Sequence, residues 1–187
     1  MPGKQFSEGR VLSCEFRATE TEGVITGRVV PFGTWTPIGG TYLERITADT
    51  FRDSVTRGEG ASIPLLLDHE NHTKSLIGKP LEWRTQDDGL HADFALDMGG
   101  ESGAESWRLA REGFLRGMSV GFQPGDADDI DLDGDVPRVT RGPAVLREVS
   151  LVPAGAYPEA QVLAVRTAGI RRGPDPRIAA YRAAFGL

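Results

Sequence analysis

The chain has 187 residues, enough for one domain with a substantial core and a tail. Apolar residues make up 39% and charged residues 26%, a globular balance, and the net charge of −6 argues against broad binding to nucleic acid or to an anionic membrane. No apolar run approaches the roughly 20 residues that span a bilayer, and the single cysteine, Cys14, has no internal disulfide partner, so a reducing cytoplasm is the simplest setting.

Met1 to Arg10 reads as a polar arm without the hydrophobic core of a signal peptide. Val11 to Phe16 is a candidate first strand, and Glu22 to Pro31 a second, rich in β-branched residues. Gly39-Gly40 marks a turn before a short strand at Tyr42 to Ile46. Thr47 then reads as the N-cap of a helix carrying Asp49, Phe51 and Val55. Ser62 to Leu67 reads as a buried strand that delivers Asp68, His69 and Glu70 at its end. Leu81 to Thr85 and Leu90 to Leu96 form a hairpin around an Asp-Gly turn. Glu101 to Glu112 reads as a helix with Trp107, Ala110 and Phe114 on a core-facing stripe, closed by Gly113.

The strand after that helix carries Gly117-Met118-Ser119-Val120-Gly121. Period-two alternation puts Met118, Val120 and Phe122 on one face and Gly117, Ser119 and Gly121 on the other. Ser119 is thus a hydroxyl with no same-strand side chain shading it, which suits a nucleophile; the alternative is a Gly-rich strand that admits a close backbone. Pro124 to Pro137 is an acidic excursion, followed by a strong strand at Ala144 to Val152. Gln161 to Val165 is a last short strand, and Thr167 to Pro176 a linker. Ile178, Tyr181 and Phe185 line one face of a terminal helix that needs a docking surface to be stable. The sum is mainly β with inserted helices, an α+β chain whose short strands suit a closed or nearly closed barrel.

The chemistry narrows by elimination. Gly117 to Gly121 matches G-x-S-x-G, but His69, His72 and His91 all precede Ser119, whereas an α/β-hydrolase places its histidine last. His69, at the mouth of a buried strand, is the best-placed base. His72 sits in a polar loop and His91 in a hairpin strand. His69-Glu70-Asn71-His72 misses the zinc-binding H-E-x-x-H spacing, so no metal and no cofactor are expected. Asp129 to Gly134 copies half of a calcium loop, but Thr140 stands where the closing glutamate belongs, so a solvated hairpin tip is the simpler reading of the Asp129 to Asp135 loop. Glu148 shares a face with Leu146, Ser150 and Val152 on simple alternation. A carboxylate there needs a partner, either a histidine it orients or an arginine.

Four segments together resemble the prohead maturation protease family of tailed bacteriophages, serine peptidases related in fold to herpesvirus assemblin. They are Gly23 to Phe51, Leu65 to His69 with Ile77-Gly78-Lys79, Phe114 to Phe122, and Glu148 to Pro153 with Ala156-Tyr157-Pro158 and Ala160. The resemblance implies an assemblin-like closed barrel flanked by helices, a protease domain over 1–166 (core 11–166), and a tail over 167–187. It implies catalysis by Ser119, His69 and Glu148. A carboxylate stands where the herpesvirus relatives have a second histidine, and Arg147 and Arg141 are candidates for oxyanion support. It implies a substrate that is the scaffolding protein or a scaffold segment of the major capsid protein, with self-cleavage, in the host cytoplasm inside the procapsid. The herpesvirus relatives act as dimers, so a homodimer stands beside the monomer. The rival classes are a non-catalytic assembly protein on a protease fold and a Ser-His-Glu esterase or amidase.

Overall fold

The computed structural model describes residues 16–18, 22–57 and 59–153. The expected arm, Cys14, the strand at Gln161 to Val165, the linker and the terminal helix lie outside them, as do Ala156-Tyr157-Pro158 and Ala160. In chain order the elements are β1 (Phe16–Ala18), β2 (Val24–Pro31), β3 (Thr36–Ile38), β4 (Tyr42–Arg45), α1 (Arg52–Thr56), β5 (Leu65–Leu67), β6 (Leu76–Gln86), β7 (Gly89–Leu96), α2 (Glu101–Arg111), β8 (Gly117–Gln123), β9 (Asp129–Asp131), β10 (Arg138–Thr140) and β11 (Val145–Val152). Among the described residues no helix is long and apolar enough to cross a membrane.

Seven strands form one sheet in the order β1-β2-β7-β6-β5-β11-β8, and β3-β4-β10-β9 form a second. The larger sheet is mostly antiparallel; its parallel pair, β5 with β11, is the one that matters for the site. The expected closed barrel does not form. Among the described residues the sheet curls into a half-barrel with β1 at one edge and β8 at the other, and no ladder joins these two strands. The inner face carries the core, with Ile25, Val29, Leu65, Ile77, Phe94, Met118, Val149 and Leu151 all fully buried.

The β6–β7 hairpin forms where the sequence places it, but its two loop residues are Asp87-Asp88, and Gly89 opens β7 opposite Gln86 instead of sitting in an Asp-Gly turn. The helix at 101–111 also forms, but its stripe ends early. Gly113 adopts φ +77°, its N–H donates to the Ala110 carbonyl at 3.1 Å, and the Phe114 N–H donates to Leu109 at 2.9 Å. This is a Schellman closure. It reverses the chain, so Phe114 leaves the helical face and is 66% exposed, while Leu115 is buried in its place. The chain then enters β8 at once.

Two other expectations shift. Thr47 does not cap a helix: it belongs to a turn, with the Thr50 N–H on its carbonyl at 3.2 Å, and α1 starts only at Arg52. The buried strand before His69 is confined to Leu65–Leu67, because Glu59–Ser62 coils into a 3₁₀ turn. These changes give α1 its task. Thr50 Oγ1 donates to the Arg141 carbonyl at 3.0 Å, the Leu146 N–H donates to Ser54 Oγ at 3.0 Å, and the Ala144 N–H donates to the Thr50 carbonyl at 2.8 Å. The lead-in to β11 is thereby fixed from the side.

Candidate active site

β8 alternates as its sequence requires. Met118 and Val120 are buried in the core, and Gly117, Ser119 and Gly121 occupy the other face. That face is not open, as expected from the strand alone. Ser119 has no exposed surface, because β11 lies alongside and places Ser150 directly opposite it in the ladder. Directly opposed side chains in an antiparallel pair sit about 5 Å apart at Cβ.

β11 departs from simple alternation at one residue. The ladder pairs Leu146 with Phe122 and then Glu148 with Gly121, leaving Arg147 as a β-bulge without a cross-strand partner. Leu146 therefore faces the core with Val149 and Leu151, while Glu148 faces the other way with Ser150. The shared face of Leu146 and Glu148 inferred from alternation is corrected by that one extra residue. Bulges of this kind re-aim side chains next to functional sites. Here the Glu148 side chain lies directly over Gly121: a Cβ at position 121 would sit 2.3 Å from Glu148 Oε1 and 3.0 Å from Cδ. The glycine that seemed to unshade Ser119 makes room for the carboxylate. Gly121→Ala is expected to push Glu148 out of place and slow any reaction that depends on it by roughly 10–100-fold, at a melting temperature close to wild type. Reaction rate and thermal unfolding measured on the same sample check this.

His69 reaches the same spot from β5. Because β5 runs parallel to β11, with Leu67 beside Leu151, its C-terminal end arrives next to Ser150. The Asp68 N–H donates to the Leu151 carbonyl at 3.0 Å, and the chain then reverses. Asp68 (φ +53°) and His69 (φ +60°) are both left-handed, and the Glu70 N–H donates to the Leu67 carbonyl at 3.1 Å. This is the sign pattern of a type I′ turn, unusual outside glycine though Asp and His are among the residues that tolerate it. The turn lays the imidazole against the acid. Nδ1 of His69 lies 2.7 Å from Glu148 Oε1, with the two side chains only 22% and 14% exposed. A carboxylate can only accept, so the proton of a neutral ring sits on Nδ1 and Nε2 keeps its lone pair. Nε2 is buried and makes no hydrogen bond; the Ser119–His69 bond is therefore not made in this state.

The arginines are placed differently from the expectation. Arg141 is buried, and its guanidinium is committed: Nε to Glu44, Nη1 to Asp128, and Nη2 to the Tyr42 hydroxyl at 3.0 Å. Burial alone would lower its pKa, but the two carboxylates more than offset that and hold it raised. It ties β4, β10 and the 126–128 loop together, each of its three nitrogens donating to one of these partners. Glu44 has no exposed surface, so Arg141→Ala strands a buried charge and is expected to cost about 3–5 kcal/mol, read as a lower urea midpoint. The Arg147 guanidinium donates to Gln123 Oε1 at 2.6 Å on the exposed side.

The other sequence candidates take ordinary partners. His91 pairs with Asp88 at 2.8 Å, and that hydrogen bond, acting against partial burial, lowers the Asp88 pKa. His72 contacts Ser75. Asp129–Asp131 forms β9, and Leu132 to Gly134 belongs to the exposed turn between β9 and β10. Among the described residues no group of three or more His, Cys, Asp or Glu side chains could hold a metal ion.

One residue of the cluster was missed as a participant. Ser150 Oγ donates to Glu148 Oε2 at 2.7 Å and accepts the His69 backbone N–H at 3.1 Å. Its spacing of two from Glu148 was legible; its position opposite Ser119 and beneath His69 depends on strand pairing that the sequence does not display.

A family model described as caudovirus prohead serine protease matches residues 12–172. No curated protein and no solved structure matches.

Proposed function

Because the chain belongs to the caudovirus prohead serine protease family, we propose that it is a capsid maturation endopeptidase in which Ser119 is the nucleophile, His69 the general base and Glu148 the residue that orients the ring. The observation that carries this reading is the 2.7 Å contact between His69 Nδ1 and Glu148 Oε1, made over Gly121 on the strand face that holds Ser119. It leaves the unprotonated Nε2 as the ring atom available to a hydroxyl on β8. Two residues along a strand span about 7 Å, so Ser119 lies within a side chain's reach of that imidazole.

The chemistry follows from the roles. Ser119 Oγ adds to a peptide carbonyl as its proton passes to His69 Nε2. Glu148 stabilises the imidazolium so formed. The proton then goes to the leaving amine, giving an acyl-enzyme, and a water deprotonated by the same nitrogen releases the new carboxylate. The tetrahedral oxyanion needs donors, and the Arg147 backbone amide at the bulge is the candidate, in preference to the committed guanidinium of Arg141. The substrate proposed is the scaffolding protein or the scaffold segment of the major capsid protein, with this chain itself, in the host cytoplasm and within the procapsid.

Co-expression with the capsid and scaffolding proteins of the same phage tests the proposal. The expected products are a capsid protein with a new N-terminus or a fragmented scaffold, together with a shortened form of this chain by intact mass. If the capsid and scaffold proteins remain whole in assembled procapsids, the endopeptidase reading is lost.

A further inference from the structure

We infer that Ser150 is a positioning residue that sets the geometry of acid and base together, an inference that rests on the proposed roles of Ser119, His69 and Glu148. The side chain is fully buried, and its oxygen makes two bonds whose directions leave no ambiguity. A carboxylate can only accept, so the Ser150 hydroxyl donates its one proton to Glu148 Oε2. A peptide N–H can only donate, so Ser150 Oγ accepts from His69. With the Nδ1–Oε1 contact these bonds close a ring: Ser150 to Glu148, Glu148 to the imidazole, and the His69 backbone to Ser150.

Each bond answers a specific need. Glu148 presents two oxygens, and only one faces the imidazole. Without a donor on Oε2 the carboxylate can rotate and offer either atom, at varying distance. His69 sits at φ +60°, a backbone state that persists only where its surroundings over-determine it. Ser150 is part of that determination, because it holds the N–H of the turn residue itself. Ser150 is not a rival nucleophile, since its proton is committed to Glu148 and the His69 atom that it touches is the backbone nitrogen, not the ring.

The test uses the full chain and a fluorophosphonate probe, with covalent adduct formation followed by intact mass. Its saturation kinetics separate the maximal inactivation rate from the half-saturating concentration. For Ser150→Ala the maximal rate is expected to fall roughly 10–100-fold, with the half-saturating concentration unchanged. Because Ser150 and Glu148 belong to one closed ring of bonds, the double variant Ser150→Ala/Glu148→Gln should lose clearly less than the product of the two single losses, a non-additivity that a merely structural role does not produce. Additive losses, or a wild-type maximal rate in Ser150→Ala beside a lowered melting temperature, overturn the inference. Should Ser150→Ala fail to fold, Ser150→Cys keeps the volume while weakening both bonds, and a wild-type rate there overturns it equally. Ser119→Ala keeps the two failures apart. If that variant still takes the label, the nucleophile assignment fails; if it does not while Ser150→Ala reacts normally, only the positioning role is lost.

Discussion

Ser119→Ala is expected to abolish cleavage of the capsid or scaffold partner, with a fall of roughly 10⁶-fold in kcat if acyl transfer is the chemistry. The substitution removes one oxygen from a fully buried position in the middle of β8, opposite Ser150, and leaves Met118 and Val120 in the core. The fold should therefore survive, with thermal unfolding within a few degrees of wild type, and the loss should lie in kcat. Two readouts check it: the N-terminus of the mature capsid protein after co-expression, and retention of a fluorophosphonate adduct on Ser119 in the wild type alone. Continued processing by the alanine variant would mean that another residue carries the nucleophile.

Glu148→Gln carries the second large effect, and the reason lies in counting oxygens. Glu148 uses Oε1 for His69 Nδ1 and Oε2 for the Ser150 hydroxyl, and both partners are donors. A glutamine offers one oxygen and one NH₂ group. If its oxygen keeps Ser150, its NH₂ faces the ring, so Nδ1 must accept and the proton moves to Nε2. The ring then presents an N–H to Ser119 where a lone pair is needed. If its oxygen keeps His69, the NH₂ meets the Ser150 hydroxyl, which must then accept from it and turn its own proton away from position 148. Losing the correct tautomer costs about 10⁴-fold in kcat in serine proteases with an acid at this position. We expect a loss of that order, with KM and the circular dichroism spectrum unchanged. A variant within tenfold of wild type would remove Glu148 from the mechanism.

Much of this site can be read from the chain. Ser119 and Glu148 lie on strands and His69 in the turn that follows β5, and the side chains of His69 and Glu148 meet. The β6–β7 hairpin and α2 form where their turn and cap residues place them. The readings that failed share a cause: each assumed that a local pattern continues undisturbed. Alternation put Glu148 with Leu146, and a bulge at Arg147 separates them. Helical spacing put Phe114 in the core, and the Schellman turn at Gly113 throws it out. Barrel closure depends on whether the edge strands β1 and β8 pair, and among the described residues they do not. Ser119 looked unshaded because only its own strand could be seen. Pairings between distant segments leave no periodic mark, so no residue-by-residue reading could supply them.

The bulge at Arg147 has a consequence for how the chain tolerates changes in length. Without Arg147, Leu146 and Glu148 would be consecutive, and the inward–outward parity from Leu146 to Val152 would be uninterrupted. Arg147 is thus structurally an insertion whose disturbance is absorbed within one residue, leaving the pairing of Ser119 with Ser150 untouched. A one-residue insertion or deletion between Glu148 and Ser150 has no such buffer. It would invert the faces on one side of the change, separating Glu148 from Ser150 or carrying one of them into the apolar interior. In this strand, the pairing accommodates the extra residue at Arg147 but would not accommodate one in the two steps that follow it.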